Sequence, residues 1–400
     1  MHIPKVFLLA GCLGLAGSHA CAENDFTASF RLRGGFDTNP LLAIGQGGGS
    51  LFVAADTALA AGMKTDGYTL GVAAEATAMH YAQQRITPTR GGKVILRGSI
   101  GDDDLRLDST STIADVSSYT LRSSELIQSV RAESRRGPIK LFATAEGGRS
   151  SLNQANAIFQ DFLPDPQQHL RGTLIPGVSL VSGKFEIGAS VNLSARRYLQ
   201  EFDVFGYRRD NERVQPFLFA KYGGDAVTAF GSVSRLYGTW HDPDFTNVDR
   251  ILFDASLSWR AAPFGIDLTA WRRASETTFP ISPITIDTAY SARVSWNWEP
   301  KMTLAASVGY SISEYLDSPF RARTLTCGVG AIRDFDHDLS VSIDVAYARG
   351  LLISGDQSNG LVVMSSITKR FSAAPPEPNK AASAAPASCG RGCPVRLPPS

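Results

Sequence analysis

His241, followed by Asp242 and Asp244, is the best-placed group for a general base oriented by a carboxylate, the arrangement that a hydrolase would need. The same residues spell His-Asp-Pro-Asp, which is turn chemistry, and that is the reading we prefer. Asp102-Asp103-Asp104 could meet a cation, but it lacks the spaced ligands of a calcium loop and reads as a solvated turn. Gly45-Gln46-Gly47-Gly48-Gly49 and Gly91-Gly92-Lys93 are glycine-rich enough to cradle a phosphate. Neither has the Lys-Ser/Thr or the following helix that such a cradle requires, so both read as flexible loops. Cys389 and Cys393 suit a disulfide in an oxidising compartment and offer too few ligands for a metal. No catalytic centre, metal site or cofactor is expected.

Charges spaced two apart among small and hydroxyl residues say more. Arg31, Arg33, Arg97, Arg106, Arg131, Lys140, Arg196, Lys221, Arg260, Arg273 and Arg293 share one face of their segments. So do Asp37, Asp56, Glu75, Asp108, Glu133, Glu146, Glu186, Asp254, Asp267, Asp287 and Asp344, giving 11 cations against 11 anions. Such charges are costly toward lipid, whereas in a wet lumen they pair or line a solute path. Their balance argues against a strong filter for either sign.

The elements that would position these charges are strands. Even positions from Ile284 to Trp298 are apolar and odd positions polar, and the same split recurs from Met302 to Ser313, Phe185 to Ser194 and Phe26 to Arg33. A soluble sandwich also alternates, but many of these runs exceed its usual five or six residues and have the length of a tilted membrane crossing. Short turns such as 64–67, 183–184, 299–301 and 336–338 alternate with longer polar segments at 153–167, 200–212, 241–247 and 353–360. The expectation is an all-β, transmembrane, antiparallel up-and-down barrel of about 18 strands, with 16 as the runner-up. Keeping a short strand at 93–100 makes the number even and puts both ends of the barrel on one side. Pro176 and Pro216 are expected to mark bulges. Aromatics fall into two interface girdles, with Trp259, Trp296 and Trp298 near the short turns and Tyr198, Tyr237, Trp240, Tyr310 and Tyr347 near the longer loops.

Outside the barrel, residues 1–22 read as a signal peptide, with Lys5 before an apolar run and small residues at Ala20 and Ala22. The barrel would fill 23–371, and 372–400 reads as a disordered Pro/Ala-rich periplasmic tail. The last strand, through Leu361, Val363, Ser365, Ile367, Lys369 and Phe371, resembles an outer-membrane assembly signal. A net charge of +1 with 19% charged residues does not suit a nucleic-acid binder. After the N-terminus no apolar run is long enough for a helical span.

Phe30-Arg31-Leu32-Arg33-Gly34-Gly35-Phe36-Asp37-Thr38-Asn39-Pro40 resembles the opening of a family of outer-membrane β-barrel porins that often accompany exopolysaccharide biosynthesis genes. The resemblance implies a channel in the outer membrane of a Gram-negative bacterium, serving passive diffusion or polysaccharide export, and transfers no catalytic residue. Outer-membrane lipid and lipopolysaccharide, the barrel-assembly machinery and polysaccharide export components would be its partners. The alternative is a plugged barrel serving as an envelope scaffold or surface-binding protein.

Overall fold

In the computed structural model, the residues described are 23–40, 48–65, 67–83, 86, 88–102, 104–117, 121–154, 167–203, 205–277, 282–351, 355 and 357–372. The proposed signal peptide and tail, with Cys389 and Cys393, lie outside them, as do Gly45 to Gly47.

Eighteen strands follow one another: β1 (Glu23–Asp37), β2 (Ser50–Lys64), β3 (Tyr68–Tyr81), β4 (Thr89–Gly101), β5 (Leu105–Ser117), β6 (Leu121–Arg136), β7 (Ile139–Gln154), β8 (Gln167–Ser182) and β9 (Phe185–Tyr198). They continue as β10 (Asn211–Gly223), β11 (Val227–Trp240), β12 (Val248–Ala261), β13 (Phe264–Glu276), β14 (Ile284–Glu299), β15 (Met302–Tyr315), β16 (Arg321–Phe335), β17 (Leu339–Leu351) and β18 (Gln357–Ser372). Each is antiparallel to its neighbours in sequence. β18 returns to β1, Thr27 opposite Ser372 and Asp37 opposite Val362, so the sheet closes on itself. Closure removes the free edges that a membrane would leave unsatisfied. At one end the strands are joined by two- or three-residue turns, such as 137–138 and 336–338, and at the other by connections up to the length of 155–166. Gly137 and Gly183 take φ of 58° and 56°, the left-handed backbone that the tightest turns need.

Register follows the alternation in the sequence. Phe30, Leu59, Leu107, Ile187, Leu218, Val294, Val329 and Ile367 face outward and are exposed, which inverts the order of a soluble protein and fits a lipid-facing wall. Aromatics band the short-turn end, where Trp296 stacks between Phe264 and Trp298 and Phe185 meets Tyr222. Trp259 shares this end and the outward parity, opposite Ile266. Tyr237, Tyr310 and Tyr347 mark the other interface. The outer wall carries a polar patch on β5 and β6. Ser111 donates to Gln128, which donates to Ser109 at 2.9 Å, so the three groups answer one another's hydrogen bonds on a face where water is absent.

Three expectations are corrected. Gly91-Gly92-Lys93 is not a loop but lies inside β4, whose span of Thr89–Gly101 exceeds the short strand expected there. Gly91 faces inward, and a β-carbon there would come within 3.1 Å of Thr77, so the glycine serves close packing of strands. Pro176 and Pro216 make no bulge: pairing lapses beside each and resumes in unchanged register. An antiparallel residue directs its N–H to one neighbour only, so each proline forfeits one ladder and keeps the other. The register shift occurs instead at Asn297/Glu299. Tyr198 and Trp240 do not belong to a girdle. Both point into the barrel, Tyr198 against His169 at 5.0 Å between ring centroids and Trp240 within a buried apolar cluster.

Candidate functional site: the lumen and its inward-folded hairpin

Register places Arg31, Arg33, Glu75, Arg106, Asp108, Arg131, Glu133, Glu186, Arg196, Asp254, Arg260, Asp267, Arg273, Asp287, Arg293 and Asp344 on the inward face. Most pair with an opposite charge, either across the ladder or two positions along the same strand. Asp56 takes both Arg31 (3.2 Å) and Arg33 (2.7 Å), and Arg106 meets Asp108 at 2.8 Å. Arg131, Glu133, Lys140, Glu186 and Lys221 form a continuous belt across β6, β7, β9 and β10, with contacts of 3.0, 3.6, 2.7 and 3.5 Å. Further round the wall Arg260 meets Asp267 at 2.7 Å and Arg273 meets Asp254. Glu75 stands opposite Lys93, and Arg293 opposite Asp267. Asp344 accepts from Ser342 at 2.9 Å, and Asp287, buried, accepts from Thr285 at 3.3 Å.

At the long-loop end the ring is not round. β12 and β13 pair only from the Ala261/Phe264 turn up to Phe253/Arg272, whereas β12 stays with β11 as far as Val248. Above that point β13 parts from β12 while β14 stays paired with β15 up to Thr285/Tyr315, so the freed edge of the β13–β14 hairpin turns inward over β11 and β12. Ala274, Ile284 and Ile286 share the parity of lipid-facing Ile266 and Val294, yet they pack with Leu236, Trp240, Val248 and Leu252 from the inward face of β11 and β12. Phe245 and Leu316 complete the cluster. Ile284 is fully buried, and its burial inside the barrel corrects the expectation that every even position of β14 faces lipid. Burying an isoleucine side chain contributes roughly 1.5–3 kcal/mol, so this cluster is a substantial anchor for the hairpin.

Polar contacts fix the hairpin's end to β9, β10 and their connection, on the far side of the split. Arg209, from the connection after β9, donates to the carbonyl oxygens of Thr277 (3.0 Å) and Ser282 (3.5 Å) and pairs with Asp203 at 2.8 Å. The Glu276 carboxylate lies 2.9 Å from Arg196 on β9 and 2.8 Å from Arg213 on β10, and accepts from the Tyr198 hydroxyl at 3.1 Å. Nearby, Arg171 pairs with Glu146 at 2.7 Å. Sequence reasoning found Arg196 but missed Arg171, Arg213 and Glu276. The parity of β13 places Glu276 with Phe264, Ile266 and Leu268, and only the inward fold reverses its direction. An acidic residue at the end of a lipid-facing series was the available signal.

The Asp-x-Asn element works at the rim. Asn39 receives its backbone bond from its own segment, donating N–H to Asp37 at 2.9 Å, while its side-chain amide reaches Asn359 O (2.9 Å) and Ser358 (3.3 Å) on β18. The Thr38 hydroxyl accepts the Leu361 N–H at 2.8 Å. The first strand is thus clasped to the last.

The Asp242 and Asp102 carboxylates of the two acidic loops bond to the backbone of their own or neighbouring turns. Asp242 spends its oxygens on the N–H groups of Arg208 (2.7 Å) and Asp244 (2.9 Å), while the His241 ring meets Arg197 at 3.3 Å and Glu212 at 4.0 Å. Asp102 accepts from the N–H of Asp104 and Leu105, both at 2.9 Å, and these bonds hold its carboxyl below the usual range.

Among solved structures, the chain is similar to the outer membrane protein OpdK from Pseudomonas aeruginosa (11% identity, 87% of this chain and 99% of that one, TM-score 0.45). It is similar also to OpdO of the same organism (10% identity, 88% and 98%, TM-score 0.48) and to OccAB3 of Acinetobacter baumannii (10% identity, 87% and 100%, TM-score 0.44). No curated protein matches its sequence. Residues 179–371, from the last residues of β8 to the end of the barrel, match the family described as "Putative beta-barrel porin 2", and with the closed ring and its apolar outer wall this makes the chain a porin-like β-barrel channel of the Gram-negative outer membrane.

Proposed function

We propose that the protein is a passive, non-enzymatic channel for hydrophilic solutes, with saccharides of the kind handled in exopolysaccharide export as its solute class. The observation that carries this reading is the inward face: paired charges and hydroxyls line a ring of eighteen strands, a size at which a barrel leaves room for water inside. Pairing along the wall leaves no large field of one sign, which suits uncharged polyhydroxyl solutes. Lipopolysaccharide and the barrel-assembly machinery follow as partners from its place in the membrane, and polysaccharide export components from the solute class. The experiment is single-channel recording in planar bilayers, followed by swelling of proteoliposomes in sugars of increasing size. Discrete conductance steps and sugar influx are expected. A barrel silent at every voltage would favour the plugged scaffold, for which the inward hairpin would be the plug.

A further inference from the structure

We propose that Arg196 and Arg213 form a carboxylate-binding site in the lumen, occupied here by the protein's own Glu276, and that the carboxylate of an acidic, sugar-sized solute competes for it. The proposal rests on the channel reading and adds to its uncharged solutes an acidic class recognised at this one part of the lumen. Glu276 arrives from the opposite side of a split in the wall, on a hairpin tip, and meets guanidinium groups of β9 and β10. Two guanidiniums face one carboxylate, because Arg171 is matched by Glu146 and Arg209 by Asp203. One positive charge is therefore left over beside Glu276. Donors are left over as well. Arg213 has only 4% of its side chain exposed, and its Nε has no hydrogen-bond partner, nor does Arg196 Nη1 or Arg171 Nε; the close contacts of Arg196 Nε and Arg213 Nη2 with Glu276 Oε1 are ion pairs that lack hydrogen-bond geometry, so the tethered carboxylate satisfies the guanidiniums poorly. Buried guanidinium donors without acceptors are costly, and a second carboxylate oxygen is the acceptor that suits their fork. The site is not sealed, since Arg196 and Arg171 keep 19% and 25% of their side chains exposed.

A tethered carboxylate acts as an intramolecular competitor with a high effective concentration, so the site's affinity for a free carboxylate is masked in the native chain. Removing the competitor should unmask it. Calorimetric titration of the folded, detergent-solubilised full-length barrel with glucuronate, acetate and glucose tests this without depending on conductance. Glu276→Gln should bind glucuronate about tenfold or more tightly than the native protein, and glucose should bind neither. Tighter binding of glucuronate than of acetate assigns the sugar ring a share of the recognition, whereas equal binding assigns it to the carboxylate alone. Adding Arg196→Gln or Arg213→Gln to Glu276→Gln should abolish the gain. Glucuronate should also raise the temperature at which Glu276→Gln loses its heat-modifiable folded band, and glucose should not. If Glu276→Gln does not fold, Glu276→Asp shortens the tether by one methylene and should show a smaller gain. No gain in the variant that folds, equal binding of glucose, or a gain that survives loss of both arginines would overturn the site. Absence of conductance alone would overturn only the channel reading.

Discussion

Val294 and Ser295 are adjacent in β14 and lie on opposite sides of the wall. Val294 is 45% exposed toward lipid, and Ser295 donates inward to the Gly265 carbonyl at 3.3 Å. Val294→Arg should destabilise the barrel by about 2–4 kcal/mol if it lies near the bilayer midplane, whereas Ser295→Arg places its charge in the lumen and should cost far less. Heat-modifiable migration after urea titration reads the difference, and equal losses would mean the faces are misassigned. Asn39 allows a second test at this scale. Asn39→Ala deletes the amide that bridges to Ser358 and Asn359, two hydrogen bonds between the first and last strands, a loss of roughly 1–3 kcal/mol. The urea midpoint should fall while conductance persists.

At the scale of elements, β18 runs through Phe371 to Ser372. Phe371 pairs with Ala28 and Ser372 with Thr27, so a chain ending at Ser372 keeps every pairing of the β1–β18 seam. Such a truncation should insert normally, and one that also loses Phe371 should assemble poorly, as outer-membrane yields of the folded band would show. Most strands were legible because each crossing repeats one choice of lipid or water every second residue. Even the weak β4 segment was placed, though it was read too short because Thr89, Gly91 and Gly92 carry no alternation of hydrophobicity. The inward hairpin was not legible. Ala274, Ile284 and Ile286 continue the apolar parity of their strands, and apolar residues satisfy a protein core as well as they satisfy lipid. Tyr198 and Trp240 were misplaced for the same reason, since an aromatic at a strand end suits an interface or a packed lumen equally.

For the whole molecule, paired charges predict weak ion selectivity, because neighbouring fields of opposite sign cancel and salt screens the remainder. Reversal potentials across a salt gradient should therefore stay close to those of an unselective pore. Arg31→Gln with Arg33→Gln removes both cationic partners of Asp56 and should move the reversal potential toward cation preference. Strong selectivity in the native channel would contradict the balanced lumen. The ring's connectivity has a consequence for its making. Seventeen seams join strands that are consecutive in the chain, but the last joins Thr27 to Ser372, separated by nearly the full length of the barrel. Hairpins can zip one after another with little loop entropy to overcome, and the closing seam alone waits for the final strand. Throughout that interval β1 offers an unpaired edge, the surface on which strands of other chains would add. Whatever inserts this protein must therefore cover β1 from the first hairpin to the eighteenth strand, and release it only when Phe371 is in reach.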